Sequence, residues 1–307
     1  MKIQIEPLQR LIGHKDCLYS LLADTEAGFY FTAGGDGMVA RWDIGQAADA
    51  HLAAKVEDNI YSMLHWPVGR SLLLGTHTGG LHLIDLLERR ERHLYRINPA
   101  PLFAMEWSDN ELFVAHGDGF VSKWSQANDN GLVLDFHIQA AGAALRCLTP
   151  HPSQEFLAVG SSDHSIRLVD RNGKEQMRLA GHSNSVFSLL WLSGGKYLLS
   201  GSRDAHLAVW ETASGKLLEK IPAHLFTINH LLHLPSLGVV ASAGRDKSIK
   251  LWDDKSLELL KVADYDKFPG KAHSHSVNKL AWDASSNQLL SVGDDRKLIC
   301  WLLQMQE

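Results

Sequence analysis

His182, Ser200 and Asp204 combine an imidazole, a hydroxyl and a carboxylate, the working parts of a nucleophilic hydrolase. In that chemistry the carboxylate orients the ring, and the ring takes the proton of the attacking hydroxyl. The aspartate stands 22 residues after the histidine, the serine 4 before the aspartate, and Trp210 follows 6 after it. His14, Thr32, Asp36 and Trp42 satisfy all three intervals; so do His224, Ser242, Asp246 and Trp252, and His273, Ser291, Asp295 and Trp301. A catalyst needs one such set. Four sets, none accompanied by the Gly-x-Ser-x-Gly turn that exposes a nucleophilic serine, argue for a structural duty, and no catalytic residue is assigned.

The elements that must hold these groups are legible between Gly181 and Trp210. A Gly-His start leads to an apolar run from Val186 to Leu192, and a Gly194-Gly195 turn to a second run from Tyr197 to Ser200. A turn at Ser202, Arg203 and Asp204 then leads to a third run ending at Trp210. Short apolar runs separated by turn residues read as strands. With Trp42-Asp43 and Trp252-Asp253 supplying the dipeptide itself, the chain resembles the WD-repeat β-propeller family from end to end. Three weaker copies, marked by Ile84, Trp124 and Val169, fill the middle. Successive third-strand ends at 42, 84, 124, 169, 210, 252 and 301 lie 40 to 49 residues apart, which is blade length.

The resemblance implies an all-β, seven-bladed propeller with four antiparallel strands per blade, in a single domain over residues 1–307. The last repeat stops soon after Trp301 without an outer strand, while residues of about 1–12 have no repeat of their own. The alternation Ile3, Ile5, then Leu8 past Pro7 suits an outer strand that completes the seventh blade and removes a free edge.

Composition narrows the function. Hydrophobic residues make up 45% of the 307, and a net charge of −5 with scattered signs provides no basic stripe for nucleic acid. Cys17, Cys147 and Cys300 are unpaired in spacing, which fits a reducing compartment. The opening MKIQIEPLQRLIGH has no signal-peptide core, and no run approaches the ~18 apolar residues of a membrane span. A cytoplasmic protein is expected, or a nuclear one in a nucleated cell. Seventeen histidines show no metal-ligand spacing with cysteines or carboxylates, so no metal and no cofactor are expected.

The resemblance further implies that each complete set is a buried hydrogen-bond chain. It also implies that two positions per blade face a protein or peptide partner. The first, five after the histidine in regular repeats, corresponds to Tyr19, Tyr61, Phe103, Arg146, Phe187, Asn229 and Asn278. The second, just before the turn aspartate, corresponds to Gly35, His77, Gly117, Ser162, Arg203, Arg245 and Asp294. Aromatics and arginines dominate binding energy at interfaces, and the arginines favour an acidic or phosphorylated peptide. An insertion over 264–272 adds Tyr265 and Phe268, either as recognition side chains or with Phe268 tucked back as an anchor. The erosion of repeats two to four reads as apolar replacement of polar groups, or as reshaping for a partner. The expected function is a non-catalytic binding scaffold. The alternative is an enzyme with a site at a central channel, although the partner-facing positions contain one carboxylate, Asp294. Ubiquitin-ligase adaptors of this family carry arginine two residues after the dipeptide, where Gly45 and Lys255 stand here.

Overall fold

The computed structural model describes residues 2–24, 26, 28–44, 50–67, 69–127 and 131–306; Gly45 lies outside them. They form seven four-stranded antiparallel sheets. Six are built in chain order: blade one over 18–55, two over 60–96, three over 102–139, four over 145–180, five over 186–222 and six over 228–263. Blade five shows the pattern, with strands Val186–Leu192, Tyr197–Ser202, His206–Glu211 and Leu217–Pro222. Its second strand is buried on both faces beyond Tyr197, whereas its fourth strand has no fully buried residue. A strand covered on both faces reads as a continuous apolar run, so the second strand stands out in the sequence while the fourth is faint.

Blade seven takes three strands from 277–306 and its outer strand, Lys2–Ile12, from the start of the chain. Lys2–Ile12 pairs antiparallel with Lys297–Gln306, from Lys2 opposite Gln306 to Ile12 opposite Lys297. The register shifts between Pro7 and Gln9. This bulge corrects the expected alternation: Ile3, Ile5 and Leu11 are buried, but Leu8 is 52% exposed because the extra residue leaves the ladder.

By backbone contacts the chain falls into two compact units, Met1–Glu57 with His224–Glu307, and Asp58–Ala223. The first holds blades one, six and seven. There Trp301 packs with Leu234, Val239 and Leu251 of blade six, and Trp42 with Leu290 and Leu298 of blade seven. The second unit holds blades two to five, where Trp124 packs with Leu73 and Leu83 of blade two, and Trp210 with Ala158 and Leu168 of blade four. A third-strand indole thus fills the space between its own blade and the one before it, which is why it recurs at blade spacing. Among the described residues no helix is long and apolar enough to cross a membrane.

Ile5→Ala, at a side chain 2% exposed, should cost about 2 to 4 kcal/mol in urea denaturation. Leu8→Ala should cost under about 0.5 kcal/mol. Equal effects would contradict the register of the first strand.

Candidate functional site

The four recurring sets are closed hydrogen-bond chains. His182 Nδ1 lies 3.0 Å from Asp204, its Nε2 lies 2.7 Å from Ser200 Oγ, and Trp210 Nε1 donates to the same oxygen at 2.8 Å. The corresponding distances are 2.9, 2.8 and 2.7 Å for His14, Thr32, Asp36 and Trp42. They are 2.9, 2.7 and 2.9 Å for His224, Ser242, Asp246 and Trp252, and 2.8 Å throughout for His273, Ser291, Asp295 and Trp301. Direction follows from chemistry. An ionised carboxylate only accepts, so Nδ1 of the neutral ring carries the proton, Nε2 accepts from the hydroxyl, and the hydroxyl accepts from the indole.

These are the contacts of a hydrolytic triad, yet Thr32, Ser200, Ser242 and Ser291 have no exposed surface. Each hydroxyl already receives an indole N–H, and no substrate can reach it. Burial works to raise the Asp295 carboxyl, but hydrogen bonding and charge from His273 outweigh it and hold the group at about 2. Asp36, Asp204 and Asp246 are likewise held below the usual carboxylate range, against their burial, by their histidines and by backbone N–H groups.

The eroded blades replace this chain in different ways. In blade two Val56, Leu74 and Ile84 are buried apolar groups, and Thr78 donates instead to Asp58 at 2.7 Å. Blade four has Ala141, Val159 and Val169 in the core, while Asp163 binds the buried Arg167. In blade three Arg96 is exposed and the polar chain is rebuilt from other positions. Trp124 donates to Ser122 on its own strand at 2.9 Å, and Ser122 meets His116 Nε2 at 2.7 Å. Burial, aided by the neighbouring His137, pushes His116 down to about 4, and burial also lowers His137.

The positions expected to face a partner share a backbone cause that the sequence does not show. In every blade the first and second strands shift register across one residue, and those residues are Tyr19, Tyr61, Phe103, Arg146, Phe187, Asn229 and Asn278. A bulge takes its residue out of the ladder and re-aims its side chain. The carbonyl two residues before each bulge accepts, at 2.7 to 3.0 Å, the N–H of Gly35, His77, Gly117, Ser162, Arg203, Arg245 or Asp294 in turn. Bulge and turn are therefore pinned together, blade by blade.

In the second unit these positions converge. The Tyr61 and Phe103 rings lie 5.3 Å apart, and Tyr61 meets His77 edge-on at 5.6 Å. The Arg146 guanidinium lies 4.5 Å from the Phe103 centroid and 5.4 Å from that of Phe187, with Nε donating to Ser162 at 2.8 Å. All four bulge side chains are half-buried, and Arg203 is exposed. Among the described residues neither Arg146 nor Arg203 forms an ion pair. Burial first, and then the nearby charge of Arg203, lower the Arg146 pKa.

In the first unit several expected contacts are otherwise engaged. Asn229 Nδ2 donates to Ser276 and to the Val277 carbonyl, both at 2.8 Å, and Asn278 Nδ2 donates to Asp294 at 2.7 Å and the Leu18 carbonyl at 2.9 Å. These short amides tie blade six to seven and seven to one, and Asn229, Asn278 and Asp294 are half-buried. Phe268 takes the second of its two expected placements: it is half-buried against the core, its ring 6.0 Å from Trp301, so the insertion is anchored through it. Tyr265 is 43% exposed, Arg245 is exposed, and Tyr19 is half-buried beside Cys17.

The family model described as WD domain, G-beta repeat matches residues 132–170, 173–211, 215–253 and 267–301. A WD repeat-containing protein 26 homolog from Arabidopsis thaliana is 23% identical over 79% of this chain and 42% of its own length. Protein groucho from Drosophila melanogaster is 26% identical over 78% of the chain and 34% of its own length. Actin-interacting protein 1 from the same fly is 26% identical over 66% and 33%. The chain thus spans less than half the length of these relatives. Among solved structures, the WD40 beta propeller domain of Doa1 superposes with a TM-score of 0.85 at 16% identity, covering 99% of this chain and 97% of that one. That likeness establishes the fold.

The sets titrate in a defined direction. Carboxyls held below their unfolded value of 3.8 contribute stability that is complete above about pH 4 and is lost as pH falls through the folded values, toward about 2 for Asp295. The urea midpoint should fall between pH 4 and pH 2, and Asp295→Asn should flatten part of that slope. A wild-type profile without slope in this window would contradict the assignment.

Proposed function

The chain belongs to the WD-repeat β-propellers, and on that premise we propose that it is a non-catalytic recognition platform. Its site captures a protein segment bearing acidic or phosphorylated side chains at the bulge and turn positions of blades two to five. The observation that carries this reading is the Arg146 guanidinium between Phe103 and Phe187. A cation flanked by aromatic faces, without a carboxylate partner of its own and beside the exposed Arg203, presents apolar area and uncompensated positive charge together. An anionic side chain entering there gains a charge-assisted hydrogen bond, while its neighbours cover Tyr61 and Phe187. The rigid bulge backbone holds these groups in place before binding, which lowers the entropic cost of association.

The non-catalytic half of the proposal rests on the sealed hydroxyls of the four sets and on Asp294, which Asn278 engages. A protein-binding role fits the relative Actin-interacting protein 1, which is named for an interaction with actin.

Tyr61→Ala combined with Phe187→Ala should abolish capture of partners in pull-downs while leaving the far-ultraviolet dichroism intact. Arg146→Ala should weaken the same complex on the order of 30-fold in anisotropy measurements. Unchanged capture by the double variant would overturn the site.

A further inference from the structure

Blade three contains two buried ring nitrogens that meet no partner among the described residues, His116 Nδ1 and His137 Nε2. They belong to one cluster. His116 ends the second strand, Glu111–His116, and His137 lies in the fourth, Leu132–Gln139, on either side of the third, Phe120–Gln126. The two rings are 4.9 Å apart, and Phe120 packs on His137 at 4.5 Å. Asp118, in the turn between the second and third strands, joins them: one ligand atom from each of His116, Asp118 and His137 falls within 4.8 Å of the others. His116 itself is only 2% exposed.

We propose that His116 Nδ1, His137 Nε2 and an Asp118 carboxylate oxygen form a site for a divalent transition metal ion of the zinc type. Two imidazoles and a carboxylate are a donor set that such ions take, with three protein ligands leaving one position open to solvent. Bonds of ~2.0 to 2.1 Å in a tetrahedral site place ligand atoms ~3.3 Å apart, so the cluster must tighten by at most about 1.5 Å, within reach of small side-chain rotations. Leaving a buried polar atom unsatisfied is costly, and coordination removes that cost from both rings at once.

The groups behind the ligands fit this role. His116 Nε2 contacts Ser122 Oγ, which receives the Trp124 indole, and Asn98 Nδ2 donates to the Asp118 carboxylate. A metal-bound ring is commonly fixed through its other nitrogen in this way. Coordination also assigns the tautomer. With Nδ1 given to the metal, Nε2 carries the proton and donates to Ser122, the reverse of the four complete sets, where Nδ1 carries it toward an aspartate. The ion would thus take the place of the histidine–aspartate bond that blade three lacks. Asp118 is exposed, which provides a route in from solvent.

The test is titration of the chelator-stripped, desalted protein with Zn2+ alone by calorimetry, and with Co2+ alone by visible absorption. The expected result is one ion per chain, an intense visible Co2+ band, and a Zn2+-dependent rise in melting temperature. His137→Ala and Asp118→Asn should each weaken binding more than about tenfold and lose the band, with unchanged dichroism. His275→Ala, at an exposed histidine of the other unit, should bind as the parent does. Absence of stoichiometric binding, or binding that His137→Ala and Asp118→Asn both retain, would overturn the site.

Discussion

The structure depends on a directional hydrogen bond chain that begins at an indole N–H and ends at a carboxylate. In blades one, five, six and seven it ties the third strand to the second, the second to the loop ahead of the first, and that loop to the turn between the second and third strands. Each link has one donor and one acceptor, so the chain closes in one arrangement only. At zero exposure of the central hydroxyl, the low dielectric strengthens the completed chain and makes a broken one costly. The same closure removes these groups from chemistry. A serine, a histidine and an aspartate within hydrogen-bond reach are necessary for a hydrolase, but a hydroxyl that is sealed and already accepting an indole proton cannot attack.

A second regularity decides what the fold can display. The bulge in every first strand lifts one side chain per blade out of the ladder, and the turn residue is held to it through a backbone bond of 2.7 to 3.0 Å. The backbone repeats while the side chains do not. In the second unit the lifted residues are tyrosine, phenylalanine and arginine, which stack on one another and, among the described residues, leave positive charge without a carboxylate. In the first unit two of them are asparagines, short enough to reach carbonyls of the adjoining blade. One backbone device thus sets out stacked aromatic and cationic side chains in one place and ties adjoining blades together in the other.

Much of this was legible because burial imposes distance. Groups that must meet in a dry interior keep fixed sequence offsets, and the 22-, 18- and 10-residue separations between bonded partners are those offsets. The strand exchange between the two ends was readable from Ile3 and Ile5, but the bulge after Pro7 turned Leu8 outward, and bulges leave no residue signature. The contacts of Asn229 and Asn278 were not readable, since each depends on how near an adjacent blade comes, whereas the anchored Phe268 was one of two readings the insertion left open. Blade three was the least legible. His116 and Ser122 do the work of a chain whose usual positions hold Arg96 and Val114, and His137 joins them across a strand rather than along one.

Exchange of the indole N–H protons with solvent tests the central claim most directly, because it reports whether those donors are held in closed, buried chains. In 15N-resolved spectra after transfer to D2O, the Trp42, Trp210, Trp252 and Trp301 indole signals should persist for hours and disappear together as the whole chain unfolds. Loss of these four signals within seconds under native conditions would contradict the account.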